Sequence, residues 1–301
     1  MRGKILFLAF AEPLPHDREM RHAALLLMLL VPALADAKPR WETLPMPPAM
    51  PAASTTGHVT VGEGAKIYYA THGKGEPVVL LHGGLGNSDH WAFQVAALVD
   101  KYQVIVIDSR NQGRSTLTKT KTKLSYHAMA DDVIAVLDTL GIAKAAIVGW
   151  SDGGAIALDL GITHAARVSK LFVFGTNYDA KGSKDRRAGS SATFNAYAAK
   201  CKQDFMKMSK TPNAFAAVVD SLMAVWTSST NFTKDQLRAI KAYTVIADGD
   251  HDEIIKLEQI KEMSELIPNA KLVVFENTSH FALWQDPASF NKAVLAFMAA
   301  K

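Results

Sequence analysis

Six short apolar runs along the chain constrain its fold more than any other feature of the sequence. They cover residues 77–81, 104–107, 145–148, 171–174, 243–246 and 272–275. Consecutive positions in each run are apolar, so both faces of the strand that it forms must be buried. Strands of this kind occur in parallel sheets that are covered by helices on both sides. A further strand pair is predicted at 58–61 and 66–71, joined through the turn at 62–64, which gives a sheet of about eight strands.

Segments with the apolar spacing of amphipathic helices separate most of these strands. They cover about residues 88–99, 126–140, 153–163, 255–267 and 286–300. One long insertion, at about 176–240, interrupts the alternation, and helical spacing of its apolar residues predicts a small helical cap. The predicted fold class is α/β, with a mainly parallel sheet flanked by helices and a helical cap insertion.

The composition is that of a soluble domain with one large core. The chain has 301 residues, of which 49% are hydrophobic and 21% charged. Its formal charge of +4 comes from Lys and Arg that are interspersed with Asp and Glu, so no nucleic-acid partner is expected. Cys201 is the only cysteine, which excludes an intramolecular disulfide and a zinc site built from several cysteines.

The N-terminal residues differ from the rest of the chain and resemble a secretory signal. Met20 opens a basic stretch before an apolar run at 23–31 that is too short to span a bilayer, and small residues suited to signal peptidase follow. Residues 1–19 carry acidic side chains where such a signal is basic, so we expect translation to start at Met20 within a leader at 1–37. Cleavage would export the protein to the periplasm or medium with no stable membrane span. An uncleaved anchor and an N-terminal helix are the alternatives.

Residues 38–55 are rich in Pro, Ala and small polar residues and show no hydrophobic period, so they are predicted to be a tether. The folded domain is predicted at 56–301. The sequence leaves the oligomeric state open.

A serine flanked by glycines stands between a predicted buried strand and a predicted helix. The segment is Gly149-Trp150-Ser151-Asp152-Gly153. A serine on a sharp strand-to-helix turn needs very small neighbours, because larger side chains would collide with adjacent elements. The carboxyl ends of strands in open α/β sheets are where reactive groups gather, so Ser151 is a candidate nucleophile.

Three other loops at strand ends carry residues that suit the same chemistry. Residues 82–86 form the Gly-rich sequence His-Gly-Gly-Leu-Gly. After the strand at 243–246 come three aspartates, Asp248, Asp250 and Asp252, of which only one can orient a catalytic histidine. His280 follows the last predicted strand. A nucleophile, an acid and a base therefore occur in the order Ser, Asp, His.

These segments in this order resemble the α/β-hydrolase family from about residue 56 to the end of the chain. Residues 108–115 add to the resemblance, since they match the family's Asp-x-Arg-Gly-x-Gly-x-Ser turn with Asn111 in place of a glycine. By that resemblance His280 is the general base. Asp252 is its partner, because Gly249 and Asp252 match the family's Gly-x-x-Asp; Asp250 is the alternative.

The resemblance also assigns an oxyanion hole and a substrate pocket. Backbone N–H groups of Gly84 and Asp152 are expected to bind the developing alkoxide. Aromatic side chains are candidates for an apolar pocket between cap and core, with plain core packing as the alternative for each. They are Trp91, Trp150, Tyr178, Phe194, Trp226 and Phe281.

Serine at position 151 argues against the dehalogenase and epoxide-hydrolase branches, which place aspartate there. The predicted function is hydrolysis of small-molecule carboxylic esters or lactones through an acyl-enzyme, with no cofactor and no metal. Acyl transfer or perhydrolysis at the same site is one alternative. A catalytically silent small-molecule-binding protein of the same fold is another, from a different class.

Overall fold

The computed structural model describes residues 38–118, 124–184, 191–228 and 232–300. The predicted leader, with its start at Met20, lies outside the described residues. No helix within the described ranges has the length and apolar character needed to cross a bilayer.

The strands form one sheet in the order β1-β2-β4-β3-β5-β6-β7-β8, which confirms the predicted fold class. Their bounds are β1 Thr55–Thr60, β2 Lys66–His72, β3 Glu76–Leu81, β4 Tyr102–Ile107, β5 Ala145–Trp150, β6 Val168–Phe174, β7 Tyr243–Gly249 and β8 Ala270–Phe275. The pairings β1–β2 and β2–β4 are antiparallel, and all others are parallel. The carboxyl ends of β3, β5, β6, β7 and β8 therefore meet at one edge of the sheet.

Helices cover both faces of this sheet. Their bounds are α1 Ala92–Leu98, α2 Tyr126–Thr139, α3 Asp152–Thr163, α4 Ala192–Met208, α5 Phe215–Ser228, α6 Lys234–Ala239, α7 Leu257–Leu266, α8 Ala282–Gln285 and α9 Pro287–Ala299. The insertion predicted at 176–240 contains α4, α5 and α6 among its described residues.

Alternation along the central strands divides the core between the two faces. Val79 and Leu81 of β3 pack in a cluster with residues of α2, α3 and α7. Val78 and Leu80, which point the other way, pack in a second cluster with residues of α1, α4 and α9. Both faces of the strand are thus buried, as its continuous apolar run predicted.

The C-terminal helix predicted at 286–300 corresponds to α9, and a separate short helix, α8, precedes it. Pro287 has no N–H to continue the short helix α8, but its fixed φ suits the first position of α9. Asp286 caps this new start by accepting a hydrogen bond from the Ser289 N–H at 3.1 Å.

Phe172 of β6 offers a test of the core on the α9 side of the sheet. It is fully buried, and its ring lies 5.6 Å from the ring centroids of both Phe290 and Phe297. We expect Phe172→Ala to lower the free energy of unfolding by about 3–5 kcal/mol, because it leaves a cavity among these rings. Met223→Ala, at a side chain that is 42% exposed, should change it by less than about 0.5 kcal/mol. Denaturant melts of both variants would measure this, and equal losses would contradict the expectation.

Candidate active site

Ser151 is the single residue between β5 and α3, on a sharp turn. Its backbone has φ 55° and ψ −118°, in the left-handed half of conformational space that non-glycine residues rarely adopt. A Cβ at Gly149 would lie 2.1 Å from the carbonyl oxygen of Gly153. One at Gly153 would lie 2.1 Å from the carbonyl oxygen of Leu81. Neither position can carry a side chain, which is the steric requirement that the sequence indicated.

The loops after β7 and β8 bring Asp252 and His280 together. His280 Nδ1 donates a hydrogen bond to Asp252 Oδ2 at 2.6 Å, and only 3% and 2% of the two side chains are exposed. The other carboxylate oxygen of Asp252 accepts from the backbone N–H groups of Ile254 at 2.6 Å and Ile255 at 2.7 Å. The carboxylate is thus fixed in orientation before it meets the imidazole.

Asp250, the alternative partner, has a different neighbourhood. Its carboxylate accepts from the backbone N–H groups of Asn277 at 3.1 Å and Thr278 at 3.2 Å, and from His251 Nδ1 at 2.7 Å. It therefore joins the loop after β7 to the loop after β8 without contacting His280 through a hydrogen bond, a usual task for an aspartate in a turn.

Burial and the charges around His280 shift the pKa values of His280 and Asp252 in opposite directions. Burial lowers the pKa of His280. The charge and hydrogen bond of Asp252, together with the charges of Glu253 and Asp152, raise this pKa and outweigh burial, so the net shift is upward. Burial raises the pKa of Asp252, whereas His280 lowers it, and the net shift is downward. The pair therefore suits an imidazolium beside an ionised carboxylate.

The loop after β3 is held in place by His82. His82 Nε2 accepts from the Ser109 N–H at 3.0 Å, and Nδ1 donates to the carbonyl oxygen of Gly83 at 2.8 Å. Burial lowers the pKa of His82 to about 4, so its ring is neutral at ordinary pH. A Cβ at Gly84 would lie 2.5 Å from Asp152 Oδ2, so a side chain at this position would require Asp152 to shift.

The turn at 108–115 supports the same loop from behind. Asp108 is fully buried and accepts from the backbone N–H groups of Ser88 and Arg114, each at 2.7 Å. Asn111, which replaces the family's glycine, adopts φ 68°, a conformation that asparagine tolerates better than most residues. These residues form a scaffold that lies outside the cavity described next.

A cavity of about 120 Å³ opens above Ser151 at this edge of the sheet. Ser151, His280, Gly84 and Asp152 line it, so the structure brings four of the five predicted catalytic and oxyanion residues to one space. Asp252, the fifth, lies behind His280, to which it is hydrogen-bonded.

Of the predicted pocket aromatics, Trp150, Phe194 and Trp226 line this cavity, and the other three do not. Trp91 and Phe281 are fully buried, with their rings against Phe290 at 6.2 Å and Trp150 at 5.8 Å, respectively. Tyr178 is 5% exposed, and its hydroxyl donates to Glu262 at 2.8 Å. The prediction was wrong for these three, because aromatic content does not tell which way a side chain points in the fold.

Tyr126, Tyr197 and Glu253 are among the lining residues that the sequence analysis did not predict. Tyr126 Oη donates to Asp152 Oδ1 at 2.8 Å, and Tyr197 Oη donates to the carbonyl oxygen of Gly84 at 2.9 Å. Glu253 accepts from the backbone N–H of His280 at 3.2 Å. Tyr126 and Tyr197 lie on helices distant in sequence from the strand ends, and no local pattern marks them. Glu253 follows Asp252 in sequence, but its hydrogen bond to the His280 N–H depends on how the loops after β7 and β8 lie together.

Comparison with known proteins agrees with this architecture. A family model described as the alpha/beta hydrolase fold matches residues 76–210. A non-heme haloperoxidase from Rhodococcus erythropolis is 29% identical over 275 residues, which cover 80% of this chain and 98% of the relative. A solved structure described as Est816, an N-acyl homoserine lactone degrading enzyme, is 29% identical with a TM-score of 0.64, over 80% of this chain and all of that one.

A Caulobacter vibrioides protein with the provisional name carbamate hydrolase RutD is 40% identical over 119 residues, 38% of this chain. That alignment covers 44% of the relative, so the chain matches less than half of its length. The enol-lactonase of Burkholderia xenovorans LB400 shares the fold, with a TM-score of 0.65 at 22% identity over 81% of this chain and all of that one. Together with the sheet order, the family match and these likenesses show that the chain has the α/β-hydrolase fold.

The contact between Asp252 and His280 predicts how the histidine titrates. Asp252→Asn removes the negative charge that raises the pKa of His280, while the effect of burial remains. The pKa of His280 should therefore fall from above its ordinary value of 6.5 to below it. In Asp250→Asn it should stay where the parent has it, since Asp250 makes no hydrogen bond to His280. NMR titration of the His280 ring protons would measure both. A fall in the Asp250→Asn variant alone would contradict the pairing.

Proposed function

We propose that this α/β-hydrolase cleaves carboxylic esters or lactones of small molecules through an acyl-enzyme, with Ser151, His280 and Asp252 as its triad. One observation carries the proposal: the strained Ser151 lines the same cavity as His280, whose Nδ1 is hydrogen-bonded to buried Asp252 at 2.6 Å. Because Nδ1 is engaged with the carboxylate, Nε2 is the ring nitrogen that remains for the serine proton.

In the proposed reaction, the same groups act in acylation and again in deacylation. Ser151 Oγ attacks the substrate carbonyl and its proton passes to His280 Nε2, while Asp252 stabilises the imidazolium. The proton then goes to the leaving alcohol oxygen, and a water molecule repeats the sequence on the acyl-enzyme, which restores Ser151. The raised pKa of His280 favours taking the proton in the first step.

The proposed oxyanion hole consists of the backbone N–H groups of Gly84 and Asp152. Asp152 is the first residue of α3. Its N–H group therefore lies at the positive end of the helix dipole, which favours negative charge on a bound oxygen. A Cβ added at Gly84 would lie only 2.5 Å from Asp152 Oδ2, so the loop of Gly84 lies close to the start of α3. Each donor would contribute on the order of 3 kcal/mol to transition-state stabilisation.

The relatives support esters and lactones as the substrate class. The solved structure that is 29% identical is described as degrading N-acyl homoserine lactones, and its chain is covered completely. A lactone opens through the same acyl-enzyme as an ester, but its leaving alcohol stays attached to the acyl group. The same machinery therefore serves both, and a paired substrate panel distinguishes them.

Replacing the nucleophile tests this proposal directly. The parent should release the chromogenic alcohol from short-chain aryl esters or open members of a lactone panel. Ser151→Ala should lose at least about three decades of kcat on each substrate that the parent accepts. Ser264→Ala, a serine on α7 on the outside of the domain, serves as the matched control and should keep the parent rate. Equal rates in the parent and Ser151→Ala would rule out Ser151 as the nucleophile.

We also propose that the protein is exported, on the basis of the leader-like sequence at 1–37. Protein recovered from the periplasm or medium of an expressing bacterium should begin near residue 36 or 38, as read by N-terminal sequencing. A chain that stays in the cell with an intact Met1 would count against export.

A further inference from the structure

A short segment before the first strand reaches the loops that carry Asp252 and His280. The segment Arg40–Glu42 is a 3₁₀ turn, and with Thr43 it is called here the strap. It belongs to the region that the sequence predicted to be a tether. The Trp41 ring stacks on the His251 ring with a centroid separation of 3.8 Å and an interplanar angle of 14°. His251 is the residue before Asp252, so this contact bears on the loop after β7.

A second set of contacts joins the strap to the loop after β8. Gln285 Nε2 donates to the carbonyl oxygens of Trp41 at 3.3 Å and Thr43 at 2.8 Å. The other end of the same amide, Oε1, accepts from the backbone N–H of Ser279 at 2.7 Å. Ser279 precedes His280, and Gln285 is only 8% exposed. One buried amide therefore connects the strap to the histidine loop.

The same two loops also contact each other under the strap. The His251 N–H donates to the carbonyl oxygen of Thr278 at 2.9 Å, and Asp250 accepts from two backbone N–H groups of the histidine loop. Arg40 adds an ion pair with Asp286 at 2.6 Å, at the start of α9. The strap thus contacts the loop of Asp252 through His251 and is joined to the loop of His280 through Gln285.

We infer that the strap, acting through Trp41 and Gln285, positions the loops of Asp252 and His280 relative to each other for the reaction proposed above. The two residues come from separate strands, so the 2.6 Å bond between them persists only where both loops are held. A displacement of about 1 Å in a catalytic group is enough to cost one to two decades of rate. Trp41 and Gln285 touch neither the cavity nor Ser151, so they are positioning residues.

Variants of the full chain test the inference. Trp41→Ala removes the ring stacked on His251, whereas Trp41→Phe keeps an aromatic face there. Gln285→Met removes the amide at similar volume. Met46→Ala, at a side chain in the same N-terminal region that is 51% exposed, is the control.

Two readouts are needed, because loss of packing alone would lower only stability. We expect Trp41→Ala and Gln285→Met to lower kcat about tenfold on an aryl ester, with KM changed less than about twofold. The acid limb of kcat/KM should move to lower pH, because a loosened Asp252 no longer offsets the burial of His280. Trp41→Phe should recover most of the rate, and Met46→Ala should match the parent.

The second readout is the low-field proton resonance of His280 Nδ1, which reports the bond to Asp252 without turnover. It should weaken or shift in Trp41→Ala and Gln285→Met and stay unchanged in Met46→Ala. An unchanged resonance and pH profile in folded Trp41→Ala and Gln285→Met would overturn the inference, whatever happens to the melting temperature. If the parent hydrolyses no ester or lactone, the proposed function fails, but the resonance still decides whether the strap positions the pair.

Discussion

The candidate active site depends on one steric constraint, the absence of side chains two residues before and two residues after Ser151. The Cα atoms of Gly149 and Gly153 lie so close to neighbouring backbone that a Cβ at either would approach a carbonyl oxygen to 2.1 Å. One of those oxygens belongs to Leu81 at the end of β3, so the constraint fixes α3 against the strand that leads into the loop of Gly84. The serine and its proposed oxyanion donors therefore share one rigid support. The unfavourable φ of Ser151 persists because packing around it leaves the turn no alternative.

Trp150 extends this support to the other loops. It directly precedes Ser151, is 1% exposed, and its indole N–H donates to the carbonyl oxygen of His280 at 2.9 Å. Its ring packs against Tyr197 of α4 at 5.4 Å and against Phe281 at 5.8 Å. One side chain thus contacts the turn of Ser151, the loop of His280 and the insertion. Packed interiors resist small displacements, so a change in any of the three would be felt by the other two.

The sequence predicted the parts of the molecule whose determinants are local. Runs that are apolar on both faces fix the strands, and glycines on both sides of a serine fix the turn, so the sheet and the position of Ser151 could be derived. The lining of the cavity could not. No local sequence pattern distinguishes the aromatic residues Trp91, Tyr178 and Phe281 from Trp150 and Trp226. Only tertiary packing decides which of them face the cavity. The same holds for Trp41, whose surroundings lack any hydrophobic period, although its ring and carbonyl contact two distant loops.

The three aspartates after β7 show how structure separates side chains that sequence places together. Asp248 is fully buried, and burial and the neighbouring charge of Asp252 raise its pKa well above the ordinary range, which favours its neutral form. Asp250 accepts hydrogen bonds from backbone N–H groups of the loop that carries His280. Partial burial raises the pKa of Asp250, but these donors and His251 lower it, and the net shift is downward, so Asp250 remains ionised. Asp252 alone combines burial, two backbone donors and the imidazole of His280. The opposite pKa shifts of Asp248 and Asp252 favour negative charge on Asp252, the carboxylate that is hydrogen-bonded to His280 and can stabilise an imidazolium there.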